Sequence, residues 1–197
     1  MKTAVMIGDS HSQLVFPFAK DKLPFKYLDI ISKPGWGVKK FMNEGIPQSL
    51  PSADVVIVAL GGNNFDMDRR SYENEVNQFL QVLEAKFKRI VWIGPYFSTD
   101  PNVNRRHALT NVFLKLHLPI SVGYIETYGI RDIPHRDGVH FETNGYKEVV
   151  QRIMPKLKAQ SLGILPRVWL SHPKFVIPIS AFVTTLAFAF GLGGRSG

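Results

Sequence analysis

The sequence predicts an α/β fold, a three-layer, doubly wound sheet of about five parallel strands, followed by a C-terminal apolar helix. Three observations predict it. Short apolar runs alternate five times with stretches of helical spacing, the pattern of strands joined by crossover helices. The clearest run, Ala53 to Leu60, is apolar almost throughout, as a strand covered on both faces is. The early runs end in polar turns containing glycine, such as Gly8-Asp9-Ser10-His11 and Gly61-Gly62-Asn63-Asn64.

Each element has a local reason. Thr3 to Ile7 is rich in β-formers and ends at the Ser10 turn, which opens into a helix over Gln13 to Lys22 despite Pro17. Phe25 to Ile31 is the second strand, and Ser32-Lys33-Pro34-Gly35-Trp36-Gly37 is a turn before a short helix at Val38 to Asn43. Ser71 to Lys88 places Tyr72, Val76, Phe79, Leu80, Leu83 and Phe87 on one helical stripe. Arg89 to Ile93 is the fourth strand, closed by Gly94-Pro95. Asp100-Pro101 pairs an N-cap with proline at the first helical position, and that helix runs to about Leu116. Ile120 to Ile125 is the fifth strand, and Thr143 to Lys158 is the last helix of the domain, with Tyr146, Val149, Val150, Ile153, Met154 and Leu157 at helical spacing.

Composition excludes several function classes. The 197 residues suffice for one domain with a sizeable core, and 45% hydrophobic against 20% charged residues is globular. With no cysteine, disulfides, thiolate metal sites and cysteine nucleophiles are ruled out. The net charge is +8, but the basic residues come in scattered pairs (Lys39-Lys40, Arg69-Arg70, Arg105-Arg106) without interleaved aromatics, so no nucleic-acid partner is expected. Met1-Lys2-Thr3 runs straight into the first strand, and no signal peptide is expected.

Parallel strands put their carboxyl ends on one edge, where open α/β sheets bind ligands. Ser10 follows the first strand, Gly35 and Gly37 the second and Asn63 the third, while Asp137 and His140 stand just before the last helix. A structural alternative accompanies each residue. Asp9 or Ser10 would cap a turn, Asn63 would close one, Asp137 would be an N-cap and His140 a surface histidine.

Taken together, the blocks Gly8-Asp9-Ser10, a glycine after the second strand, Gly61-Gly62-Asn63 and Asp137-Gly138-Val139-His140 resemble the four signature blocks of the SGNH (GDSL-type) hydrolases. The resemblance spans roughly residues 3 to 158, and Asp137 to Tyr146 is especially like the family's last block. It implies a flavodoxin-like sheet and an ester hydrolase without metal or other cofactor. Ser10 would be the nucleophile, His140 the general base and acid, and Asp137 the residue orienting His140. The backbone N–H groups of Ser10 and Gly35 and the side-chain amide of Asn63 would form the oxyanion hole, Gly35 being preferred to Gly37 because it lies nearer the strand end. Two positions depart from the pattern. Asn64 stands where the family usually has aspartate, and His11 where a leucine usually follows the serine. His11 is expected to pack or face solvent rather than react, and His135 to be a loop residue rather than a second base.

Beyond Lys158 the character changes. Gln160 to Pro173 is broken by Gly163, Pro166 and Pro173, and residues 159–174 are expected to be a linker or juxtamembrane segment. Residues 175–192 carry no charge, and at about 1.5 Å per residue they span roughly 27 Å as a helix, close to a bilayer's hydrocarbon core. A single-pass anchor is expected there, with Trp169 and His172 near the headgroups. Arg167 and Lys174 against Arg195 place the catalytic domain on the cytoplasmic side, or in a virion membrane if the protein is viral. The alternative, supported by Pro178 and the short length of the run, is an extra apolar helix folded over the core or an oligomer contact. The expected substrate is an O-acetylated glycan or similar short-chain ester. The alternatives are a lysophospholipase or thioesterase on lipid substrates and a non-catalytic membrane or virion protein that keeps the fold.

Overall fold

The computed structural model describes residues 1–64 and 68–164. The tail expected to form an apolar helix at residues 175–192 lies outside the described residues. In chain order the elements are β1 (Lys2–Gly8), α1 (Ser12–Lys20), β2 (Phe25–Ser32), α2 (Val38–Asn43), α3 (Ile46–Ser49), β3 (Ala53–Ala59), α4 (Arg69–Glu84), β4 (Phe87–Ile93), α5 (Pro101–His117), β5 (Val122–Ile125) and α6 (Thr143–Leu162). The five strands form one parallel sheet in the order β2-β1-β3-β4-β5. This is the flavodoxin-like order, and it reverses direction between β1 and β3. The crevice outside those two strand ends is the topological switch point, and both the Ser10 and the Asn63 turns open into it.

The period-two rule divides the strands between two cores. Val5, Ile7, Val56, Val58, Trp92 and Tyr124 face one layer, where they meet residues of α2, α4 and α5. Ala4, Met6, Val55, Ile57, Val91 and Ile93 face the other, where they meet α1 and α6 through Phe16, Tyr146 and Val150. Both faces are covered, which is why these strands read as unbroken apolar runs.

The element boundaries moved where packing outweighed local spacing. Phe87 continues the helical stripe of α4 in sequence, yet it pairs with Ala53 as the first residue of β4 and is buried there. Helix α4 starts earlier than its spacing suggested, at Arg69, because the Asp68 side chain accepts from the backbone N–H groups of Arg70 and Ser71. Pro17 lies inside α1 on its exposed side, so the carbonyl that loses a helical donor faces water. Helix α6 runs on to Leu162, through the first residues of the expected linker, and ends in a left-handed cap at Gly163. The Leu162 carbonyl accepts from Lys2 Nζ at 3.2 Å, so the end of α6 sits beside the start of β1. No helix among the described residues is long and apolar enough to cross a membrane.

Candidate active site

The first turn is held on both sides. Asp9 N–H donates to the Ala59 carbonyl at the end of β3, and Lys33 N–H donates to the Gly8 carbonyl from the end of β2. Ser12 Oγ donates to the Asp9 carbonyl at 2.6 Å and lies 2.7 Å from Ser32 Oγ. Gly8 is required by close approach, since a Cβ there would lie 2.4 Å from Ser12 Cβ and 2.9 Å from the Ala59 carbonyl oxygen. A pinned turn fixes where the Ser10 hydroxyl emerges.

The loop before α6 is pinned as well. Gly138 adopts a φ of 81°, a left-handed conformation suited to glycine. Its carbonyl accepts from Ser98 Oγ at 2.6 Å and from Thr99 N–H at 2.8 Å, which ties the loop to the segment between β4 and α5. The resulting geometry brings together side chains 130 positions apart. His140 Nε2 lies 3.0 Å from Ser10 Oγ, and His140 Nδ1 lies 2.9 Å from Asp137 Oδ2. Asp137 Oδ1 accepts from the backbone N–H groups of His140 at 2.7 Å and Val139 at 3.0 Å. The His140 backbone N–H does most to hold the Asp137 carboxyl well below the usual carboxylate range, and the His140 imidazole and Val139 N–H add to it against the opposing effect of desolvation. Asp137 is therefore an acceptor with its proton off, and it assigns the Nδ1 position of His140 as the donor. That leaves Nε2 as the lone-pair nitrogen facing Ser10.

The third block closes the other wall. Asn63 Nδ2 donates to the Trp36 carbonyl at 3.4 Å, a long bond that links the β3 turn to the glycine loop after β2. Gly35 is exposed, with a φ of 74° and nothing within 4 Å of the place a Cβ would occupy. Gly37 is buried at the start of α2, where a Cβ would lie 3.0 Å from the Asn63 carbonyl oxygen and from the Asn64 side chain. The two glycines thus differ in kind: Gly35 leaves an open rim, and Gly37 lets α2 pack onto the asparagine turn.

Two histidines singled out in the sequence lie away from the Ser10 hydroxyl bond. His135 Nε2 lies 2.9 Å from the Phe97 carbonyl and its ring packs 4.5 Å from that of Phe141, so it fastens a loop. His11 is 3% exposed, so of the two expectations, packing or facing solvent, it packs, and it does so against the His140 ring. Sequence reasoning passed over His107. Its Nδ1 lies 2.7 Å from the Tyr96 carbonyl and its Nε2 lies 3.1 Å from the Gly62 carbonyl, so the ring clamps the β3 turn to the segment after β4. A buried histidine inside a helix has no local signature. Among the described residues no group of three or more His, Asp or Glu side chains is placed to hold a metal ion.

No protein-family profile matches the chain, and no curated protein matches it. Solved structures do match. The C-terminal catalytic domain of peptidoglycan O-acetyltransferase A from Streptococcus pneumoniae superposes with a TM-score of 0.61 at 17% identity, covering 81% of this chain and 94% of that one. An acetyl-xylooligosaccharide esterase from Geobacillus stearothermophilus superposes with a TM-score of 0.61 at 14% identity, again over 81% and 94%. A lipase/acylhydrolase from Enterococcus faecalis gives 0.58 at 16% identity, over 81% and 96%. A member of the lipolytic G-D-S-L family from Veillonella parvula is similar too, with a TM-score of 0.58 at 13% identity, over 78% of this chain and 96% of that one. The chain has the fold of the SGNH (GDSL-type) hydrolases.

Proposed function

We propose that this chain is a serine ester hydrolase working through an acyl-enzyme on Ser10. The observation that carries the reading is the relay of contacts from Ser10 Oγ to His140 Nε2 at 3.0 Å and from His140 Nδ1 to Asp137 Oδ2 at 2.9 Å. His140 takes the hydroxyl proton as Ser10 Oγ attacks the ester carbonyl, and Asp137 stabilises the imidazolium that forms. The tetrahedral oxyanion receives hydrogen bonds from the Ser10 and Gly35 backbone N–H groups and the Asn63 amide, each donor contributing about 2.7–4 kcal/mol to the barrier reduction. His140 returns the proton to the departing alcohol. Water deprotonated by His140 then attacks the acyl carbonyl, the Ser10 ester bond breaks and the acid leaves.

The substrate is an O-acetylated glycan or a similar short-chain ester. Structural relatives named for acetyl groups on peptidoglycan and on xylo-oligosaccharides support this choice, as does the exposed rim at Gly35, which leaves room for a bulky alcohol. The test uses the full chain with acetylated oligosaccharides and p-nitrophenyl acetate. Wild type is expected to release acetate and to be labelled by a fluorophosphonate at Ser10. Ser10→Ala is expected to lose both. Turnover unchanged in Ser10→Ala would remove the mechanism, and a folded wild type that neither turns over nor takes the label would leave a binding protein that keeps the fold.

One observation favours a second reading, a lysophospholipase or thioesterase. A cavity of about 290 Å³ beside Asn64 is lined by Tyr72, Leu109, Val112, Phe113 and Leu116, with Arg69 and Arg106 at its polar side. Such a lining suits an apolar acyl chain whose ester or thioester carries an anionic group on its other half. Rates rising from acetyl to long acyl esters would decide for lipid. The same proposal includes membrane attachment through the uncharged residues 175–192, with the catalytic domain on the side of Arg167 and Lys174.

A further inference from the structure

His11 is fixed around most of its ring. One face meets the ring of Tyr96 at 4.7 Å between centroids. The His140 ring lies 5.0 Å away, tilted by 34°. Tyr146 Oη is 2.9 Å from His11 Nδ1, and the His11 backbone N–H donates to Asp9 Oδ1 at 3.1 Å. Only Nε2 has no hydrogen-bond partner among the described residues. An aliphatic side chain would fill this space without a bond to Tyr146. A buried polar ring is retained at a cost and calls for a reason.

The connectivity supplies one. His11 belongs to the turn that presents Ser10. Tyr146 belongs to the first turn of α6, which begins at Thr143, directly after the loop carrying His140. We infer that His11 is a positioning residue that sets the Ser10–His140 separation: its bond to Tyr146 ties the Ser10 turn to α6, and its ring backs the His140 ring so that Nε2 stays aimed at Ser10 Oγ. The inference rests on the reading of Ser10 and His140 as nucleophile and base. Burial, and next the positive potential of His140, hold His11 well below the usual histidine range, so it remains neutral while His140 gains and loses its proton. A neutral ring is what the role needs, because a cation there would repel the His140 imidazolium.

The test compares full-length His11→Leu, His11→Phe, Tyr146→Phe and the double variant His11→Leu/Tyr146→Phe. His11→Leu removes both ring and bond, and kcat is expected to fall about 10- to 100-fold with KM within about twofold, the size that a sub-ångström to 1 Å displacement of a reacting group produces. His11→Phe keeps a ring and is expected to recover part of the loss. The double variant is expected to be no slower than His11→Leu, because both changes cut one link. An independent readout is the downfield proton resonance of the His140 Nδ1–H···Asp137 bond, assigned by its loss in His140→Ala. It is expected to shift or broaden in His11→Leu and in Tyr146→Phe at unchanged circular dichroism. If His11→Leu fails to fold, His11→Phe and Tyr146→Phe carry the comparison. Values of kcat within twofold of wild type in all variants, multiplicative effects in the double variant, or an undisturbed His140 resonance would each overturn the inference. If wild type neither turns over nor takes the fluorophosphonate, the hydrolase reading fails by itself, and the resonance alone decides whether His11 positions His140.

Discussion

Burial lifts the Asp9 carboxyl to about 7, although the backbone N–H groups of His11 and Gly62 are directed at it. A carboxyl raised in the folded state contributes stability that is present below its unfolded value and lost as pH rises toward the folded one. Asp9 should therefore weaken the fold progressively from about pH 4 to pH 7. Asp137 acts in the opposite sense, since its depressed carboxyl adds stability above the ordinary carboxylate range that is lost in acid. Asp9→Asn is expected to flatten the decline between about pH 4 and pH 7 in thermal melts, and a slope equal to wild type would contradict the assignment. On the proposed mechanism, Asn63→Ala should lower kcat about 100- to 1,000-fold with little change in KM. Stopped assays at saturating ester would check this. That Ser10, His140 and Asp137 would meet was legible because each belongs to a short block with its own spacing at one sheet edge. The partnership of His11 with Tyr146 was not legible, because a contact between residues 135 positions apart leaves no mark on either neighbourhood.

Elements were legible where one signal acted alone. Asp100 is the clearest case, since its carboxylate accepts from the N–H groups of Asn102 and Val103 at 2.9 Å, as an aspartate before proline suggested. Asp100→Ala should cost about 1 kcal/mol of stability, and unfolding in urea would show it as a lower midpoint at unchanged slope. The joint between α4 and β4 was misplaced because Phe87 satisfies both periods, and only its pairing with Ala53 decides between them. Helix α3 was not anticipated, because Ile46–Ser49 is too short to show periodicity. At the first turn, Gly8→Ala should destabilise the protein by more than the loss of that cap, since the added methyl meets the Ser12 side chain and the Ala59 carbonyl together. A measured loss smaller than that of Asp100→Ala would mean the turn can relax.

At the scale of the whole molecule, the alternation of strand and helix was enough to give a parallel sheet, but not the strand order, which depends on pairings such as β1 with both β2 and β3. Five paired strands and two packed cores lie within the described residues, so a chain cut after residue 164 should fold and, on the hydrolase reading, turn over ester at the rate of the full chain. It should also stop co-sedimenting with vesicles if residues 175–192 are the anchor. Retained sedimentation would assign membrane attachment elsewhere. The bond from Lys2 to the Leu162 carbonyl sets a direction for any such tether. Helix α6 leaves the His140 loop and finishes beside the first residue of β1, so its end lies at the pole opposite the Ser10–His140 crevice. A protein moored by that pole would turn the Ser10–His140 crevice outward from its support, like a buoy with its lamp uppermost.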